Sequence, residues 1–228
     1  MAASSRTEPG GAGVAGRDRR MGADCAKPEP HNLESMSNTL DHRPGIDLDA
    51  RTVAGVAHDV PGLAGDLRSD HAGETGAVAI YFGILAFARD PQVRQFARRH
   101  LATEREHLAR LDALLLPNQR SALLPIWRVA GWLTGALPAA FGADAVYATV
   151  DAVETFVDHH YEEQIRKLPV DGPGGALRAL LISCQADEVH HRDEARNAHA
   201  GAAGPATRGW QWLVGTGSAL AVAAARRV

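Results

Sequence analysis

From Ile46 onward the apolar residues recur at intervals of three and four, the period of one face of an α-helix, and the runs are broken at glycine and proline. The pattern predicts a short helix over about 47–58 that stops before Pro61-Gly62, a longer one over about 66–88 ended by Asp90-Pro91, and a third over about 92–115 ended by Pro117-Asn118. Helix-length apolar sequence resumes over about 122–141, and Asp144 opens a helix to about Leu168. Two more helices are expected over about 175–198 and about 208–226, set off by Pro169, Asp171-Gly172-Pro173, Gly201 and Gly204-Pro205. No stretch alternates Val, Thr and Tyr at a period of two, and no Asn-Gly hairpin signal occurs, so the expected class is all-α. Residues 1–45 show no apolar period and are rich in Gly, Ala, Ser, Pro and charge. They read as a disordered N-terminal tail that cannot bury enough surface to offset ordering, which leaves 46–228 as the folded domain. No apolar run follows Arg6, which argues against a secretory signal, and Glu8, Asp18, Asp24 and Glu29 interrupt any mitochondrial presequence.

Four of the helices carry the inward stripe of a bundle, and each stripe is interrupted in the same way. Leu67, His71, Glu74, Val78 and Tyr81 share one face; so do Ala97, His100, Glu104, His107 and Leu111; then Val150, Glu154, Val157 and Tyr161; then Leu181, Cys184, Glu188, His191 and Ala195. Each stripe has a glutamate at its middle, and two have a histidine three residues later. Unpaired buried carboxylates cost several kcal/mol each, so a core with four of them folds only if something compensates them. Two divalent ions would balance the four carboxylates, and two neutral imidazoles would complete the ligands without adding charge. Residues three apart lie on one helix face, so Glu104 with His107 and Glu188 with His191 can each grip an ion from one side. One Glu from each of two helices, with Glu-x-x-His from each of the other two, is the ligand plan of ferritin-like di-iron or di-manganese bundles. The expected fold is therefore a ferritin-like four-helix bundle with two additional apolar helices. A single Glu-x-x-His is common as a surface pair; six ligand types in order on four in-phase helices are not. Mixed carboxylate and imidazole ligation with open positions favours a redox metal, iron over zinc, and leaves manganese open.

Composition narrows the classes further. With 24 basic and 27 acidic residues in 228 the net charge is −3, so the basic surface of a nucleic-acid binder is missing. Cys25 and Cys184 make neither a disulfide framework nor a zinc cage. All four tryptophans (Trp127, Trp132, Trp210 and Trp212) fall in the two apolar segments at 122–142 and 209–225. The second segment has no charged residue but, at 17 residues, is short of the ~20 needed to span a bilayer. Both segments suit surface-lying or dimer-facing helices, with the tryptophans as interfacial anchors.

The motifs also carry a family resemblance. Arg68-Ser69-Asp70-His71-Ala72-Gly73-Glu74, followed by Gly76-Ala77, resembles the first motif of the demethoxyubiquinone hydroxylases of ubiquinone biosynthesis. Glu104-Arg105-Glu106-His107-Leu108 is similar to the second motif, and Ala152-Val153-Glu154 with His159-His160-Tyr161 and Gln164-Ile165-Arg166 to the third. Asp187-Glu188-Val189-His190-His191 resembles the fourth, and the resemblance covers about 47–228. It implies that Glu74, Glu104, His107, Glu154, Glu188 and His191 bind two ferrous ions and carry catalysis through them, with Glu104 and Glu154 as bridges. The implied reaction is hydroxylation of a polyprenyl demethoxyubiquinone or demethoxyubiquinol ring by dioxygen, with NADH as reductant in some members. No dinucleotide-binding fingerprint is present. The implied place is peripheral, on the cytoplasmic face of a bacterial cell membrane or on the mitochondrial inner membrane of a eukaryote. Homo-oligomerisation and contact with other ubiquinone-biosynthesis proteins are further expectations. Around the ligands, Asp187 is expected to orient a ligating histidine on another helix, and His71 to cap or orient Glu74. His160 and Tyr161 are expected on the substrate side or the electron path, His100 as a satisfied core histidine, and Cys184 as a small buried apolar residue. Rival readings are a ferritin- or rubrerythrin-like protein handling iron or peroxide, and a bundle that uses metal only to hold itself together.

Overall fold

The computed structural model describes residues 48–199 and 204–228; the tail expected at 1–45 and the break expected at Gly201 lie outside them. Among the described residues seven α-helices follow one another: α1 (Ala50–Asp59), α2 (Leu63–Phe87), α3 (Pro91–Leu114), α4 (Leu124–Phe141), α5 (Ala143–Ile165), α6 (Gly172–Ala198) and α7 (Pro205–Ala225). A 3-10 turn, Pro117–Gln119, joins α3 to the segment leading into α4. No strand occurs among the described residues. The helix ends follow local chemistry. Asp49 caps α1 by accepting from the Thr52 amide, and Asp90 caps α3 by accepting from the Gln92 amide, with Pro91 at the first helical position. Gly142, at φ +111°, makes the tight joint between α4 and α5. Helices α2, α6 and α7 start about one turn earlier than the apolar pattern predicts. For α6 and α7 the reason is that Pro173 and Pro205 fall in the first turn, where the missing N–H is unpaired in any case, so these prolines begin the helices instead of preceding them.

Helices α2, α3, α5 and α6 form the bundle. Helix α4 lies along α2, α7 packs on α5 and α2, and α1 packs against α2, α6 and α3. The α2–α4 crossing brings backbones together. A Cβ on Gly135 would sit 1.9 Å from the Ile80 carbonyl oxygen, and one on Gly131 would sit 2.3 Å from that of Gly76. Only glycine fits at these two positions.

The core is two apolar clusters with a polar layer between them. One cluster holds Ile80, Ile84, Val93, Phe96, Ala97, Val150 and Ala195. The other holds Leu63, Leu67, Leu111, Ile165, Leu177, Leu181 and Cys184. On every bundle helix the predicted ligands stand where one cluster gives way to the other. Glu74 lies between Leu67 and Ile80, Glu104 and His107 between Ala97 and Leu111, Glu154 between Val150 and Ile165, and Glu188 and His191 between Cys184 and Ala195.

Candidate metal centre

All six predicted ligands are buried at this layer, none more than 4% exposed. They form two groups whose oxygen and nitrogen atoms lie within 4.8 Å of one another: Glu74, Glu104, His107 and Glu188, and Glu104, Glu154, Glu188 and His191. The His107 Nδ1 atom is 3.0 Å from Glu188 Oε1, 3.8 Å from Glu74 Oε2 and 4.0 Å from Glu104 Oε2. The His191 Nδ1 atom is 3.0 Å from Glu104 Oε1 and 3.3 Å from Glu188 Oε2. Glu104 and Glu188 belong to both groups, and Glu154 to one. The carboxylates common to both groups are thus those of the two Glu-x-x-His motifs, where the motif resemblance implies Glu104 and Glu154 as the bridging pair.

Seven atoms of the layer have no hydrogen-bond partner: Glu74 Oε2, both carboxylate oxygens of Glu104, both of Glu188, and Nδ1 of His107 and of His191. Buried polar atoms are rarely left so, and a cluster of them points to an ion. The donor set, hard carboxylates with imidazole, fits two divalent transition-metal ions. Its charges show the same need. Burial and the Glu188 carboxylate push Glu74 up to about 7 and hold Glu104 and Glu154 well above the ordinary carboxylate range. Burial would also raise Glu188, but His107 and His191 outweigh it and hold Glu188 low. Burial likewise disfavours charge on His107, yet Glu188, Glu74 and Asp187 raise it to about 9. Ions would displace these protons and take over their neutralising role.

Hydrogen bonds around the layer hold its members. Tyr161 Oη donates to Glu74 Oε1 at 2.7 Å, and Tyr81 Oη donates to Glu154 Oε1 at 3.2 Å. Each tyrosine stands seven residues after the glutamate of its own helix and braces that of the other. The repeated Glu-x6-Tyr spacing signals this pair in the sequence, although the stripe alone marks both residues only as core. Asp187 Oδ2 lies 3.0 Å from His107 Nε2, the expected orienting role. His100 is satisfied as expected: its Nε2 is 2.8 Å from Glu194 Oε2, and its ring stacks on His191. Its partner Glu194 has no signal in the stripe. His71 departs from expectation. Its Nε2 pairs with Asp112 Oδ1 at 2.8 Å, across to α3, and not with Glu74 on the next turn of its own helix. Cys184 is fully buried, and burial pushes its thiol up to about 12, so it acts as a small apolar residue.

A cavity of about 390 Å³ reaches the layer from the side of α4 and α7. Its walls are mostly apolar, including Ala77, Ile80, Trp127, Gly131, Val214 and Ala221, and it ends on Glu74, Glu104, Glu154 and Glu188. His160 and Tyr161 also line it. His160 Nε2 is 3.0 Å from Asp70 Oδ1 and 3.1 Å from Ser69 Oγ. Asp70, which the pattern does not single out, also accepts from Gln164 Nε2 at 2.7 Å.

Residues 62–225 match the family described as ubiquinone biosynthesis protein COQ7. The chain belongs to the COQ7 family. The match takes in all six candidate ligands and every helix that lines the cavity. Among curated relatives, the NADPH-dependent 3-demethoxyubiquinone 3-hydroxylase, mitochondrial, of Caenorhabditis elegans is 31% identical over 166 residues, 71% of this chain and 88% of the relative. The 3-demethoxyubiquinol 3-hydroxylase of Rhodospirillum rubrum is 37% identical over 167 residues, 71% of this chain and 76% of the relative. The Homo sapiens relative, with the same name as that of the worm, is 33% identical over 131 residues, 56% of this chain and 60% of the relative. The worm and human COQ7-family proteins are named for NADPH, where the motif resemblance implies NADH.

Proposed function

We propose that this chain is a di-iron monooxygenase that hydroxylates the ring of a polyprenyl demethoxyubiquinol. The observation that carries the proposal is the apolar cavity ending on buried, unpartnered carboxylate atoms. Iron storage or peroxide removal has no use for such a cavity, and a metal that served only to brace the bundle would need no access at all. The names of the relatives favour the same reading.

Glu74, Glu104, His107 and Glu188 would hold one iron, and Glu104, Glu154, Glu188 and His191 the other. When bound, the pair supplies two-electron reduction of dioxygen beside the substrate. Overall one ring C–H becomes C–OH, the second oxygen atom leaves as water, and two electrons and two protons are consumed; the electrons come from a reduced nicotinamide or from the quinol itself. Tyr81 and Tyr161 keep the two outer carboxylates in place, and Asp187 keeps Nδ1 of His107 turned inward. The cavity holds the ring and the first part of the prenyl tail and excludes water. His160, held through Nε2 by Asp70 and Ser69 and through Nδ1 by Arg226, forms part of the cavity wall beside the ring. The test is conversion of a short-chain demethoxyquinol by the iron-loaded chain, followed by mass spectrometry of the product.

A bilayer-dissolved substrate requires membrane contact, and we place it on α4 and α7, whose inner faces wall the cavity. Ile126, Val129, Leu133, Leu137 and Phe141 are exposed on α4, and Trp212, Leu213 and Leu220 on α7. No helix among the described residues is long and apolar enough to cross a membrane. Of the four tryptophans, we assign the anchoring to Trp132 and Trp212, which are exposed. Trp127 faces the cavity, and Trp210 donates from Nε1 to Thr149 Oγ1 at 2.7 Å. The chain is expected to float with phospholipid vesicles and to be released by carbonate, and Trp212→Asp combined with Leu220→Asp is expected to abolish flotation. Retention through carbonate would mean a true span, and flotation of the double variant would place the contact elsewhere.

A further inference from the structure

The two halves of the bundle repeat their site residues in the same order and with the same motif spacings, Glu-x6-Tyr on one helix and Glu-x-x-His on the next. Glu74 and Tyr81 with Glu104 and His107 correspond to Glu154 and Tyr161 with Glu188 and His191. The hydrogen bonds obey the same two-fold plan, since each tyrosine braces the opposite outer glutamate. Among the positions that break it, two pairs lie beside the ligating imidazoles. The residue before the motif glutamate is Thr103 in the first half and Asp187 in the second. The residue four before it is His100 in the first half and Cys184 in the second.

These differences fall on the two ligating imidazoles. Asp187 Oδ2 takes the outer N–H of His107 at 3.0 Å. A carboxylate there fixes the tautomer, fixes the ring and raises the basicity of the inward nitrogen. His191 meets a ring instead: the His100 imidazole lies on it with centroids 3.9 Å apart and planes at 21°. Apart from the ligand carboxylates, the stack is met by Glu194, which pairs with His100 Nε2 and Arg99 and not with His191. Stacking fixes the ring plane of His191 but lends its inward nitrogen no negative charge.

We propose that Asp187 makes the two metal positions unequal, so that the one formed with Glu74 and His107 fills first and more tightly than the one formed with Glu154 and His191. The inference rests on the metal reading above and concerns the order and strength of loading. Asp187 is a positioning residue. Its side chain is 47% exposed, so Asp187→Asn keeps the shape of the surface and is expected to lower the metal-free melting temperature only slightly, through the weaker hold on His107.

The test is anaerobic titration of the full chain with Co(II), read by visible absorbance and checked by equilibrium dialysis. The wild type is expected to bind two ions in two phases at least ~10-fold apart. Asp187→Asn is expected to weaken the tight phase by ~10–100-fold, the usual cost of losing such a partner, and to leave the weak phase as it was. His191→Ala is expected to remove the weak phase and keep the tight one. Two ions bound in a single phase, equal weakening of both phases in Asp187→Asn, or loss of the tight phase in His191→Ala would each overturn the inference while leaving the metal centre standing. Binding of no ion by the wild type would overturn both.

Discussion

Glu104→Gln is expected to lose tight binding of both ions and to take hydroxylation to background, a larger effect than loss of any residue that serves one position alone. Glu104 belongs to both ligand groups, with one oxygen 3.0 Å from His191 Nδ1 and the other 4.0 Å from His107 Nδ1. The amide keeps the shape but removes a charge and half the acceptor capacity. Stability separates ligation from general damage. An ion held at a hundred times its dissociation constant stabilises the fold by ~2.7 kcal/mol, about 5–11 °C in melting temperature for a chain of this size. Adding Fe(II) under nitrogen should therefore raise the melting temperature of the wild type and leave that of Glu104→Gln almost unmoved. Without metal the order is expected to change. Glu104 is held far above the ordinary carboxylate range by burial and by Glu188 and Glu74, so its replacement by an uncharged amide relieves the layer. The same reasoning gives a pH dependence. Glu74, raised from 4.5 to about 7, and His107, raised from 6.5 to about 9, bind protons more tightly in the folded than in the unfolded chain. Their stabilisation is full below the unfolded values and fades as pH rises through the folded ones. The chelated wild type should therefore melt at progressively lower temperature from pH 5 to pH 9, and metal should flatten that slope. Calorimetry with and without chelator checks both. Equal stabilisation of Glu104→Gln and wild type by Fe(II) would remove Glu104 from the ligand set.

Ala77→Phe is expected to separate the cavity from the metal. Ala77 lies on α2 one turn after Glu74 and lines the cavity between the ligand layer and α4. A phenyl group there would take up a large part of the ~390 Å³ from which the quinol ring reaches the carboxylates. Ion stoichiometry should stay at two, because no ligand or brace is touched. Turnover of a substrate with several prenyl units should fall by at least ~100-fold, and that of a substrate with no tail should fall less, since displaced binding contacts are worth ~0.8 kcal/mol per buried methylene. Equal losses for the two substrates would mean that the tail does not lie in this cavity. Loss of metal would mean that the variant disturbs the bundle itself.

Much of this site was legible in the sequence because its signal is a conflict. A glutamate in the middle of an otherwise apolar stripe is unfavourable in a core, and four such positions in phase leave few physical solutions. Glu74, Glu104, Glu154 and Glu188, with His107 and His191, could therefore be named before any coordinates. Asp187 was legible as well, because its place beside Glu188 sets it at the rim of the same layer. Other features depend on how helices meet, which a single helical period does not encode. The shared role of Glu188, the choice of Asp112 by His71, and the pairing of His160 with Asp70 all cross between helices. Helix existence was clear from the period, whereas Pro173 and Pro205 were read as breaks although both lie inside first turns. The tryptophans show the limit of composition: their clustering marked the two accessory helices, but the side that each ring faces follows from packing on α2 and α5.

The most direct measurement is isotopic. The iron-loaded full chain, given a short-chain demethoxyquinol, a reductant and ¹⁸O-labelled dioxygen, should yield a hydroxylated quinol with one labelled oxygen on the ring. Metal-free chain and Glu104→Gln should yield none. A product whose new oxygen comes from water, or no product from chain that holds two irons, would contradict the assignment of this centre as a monooxygenase.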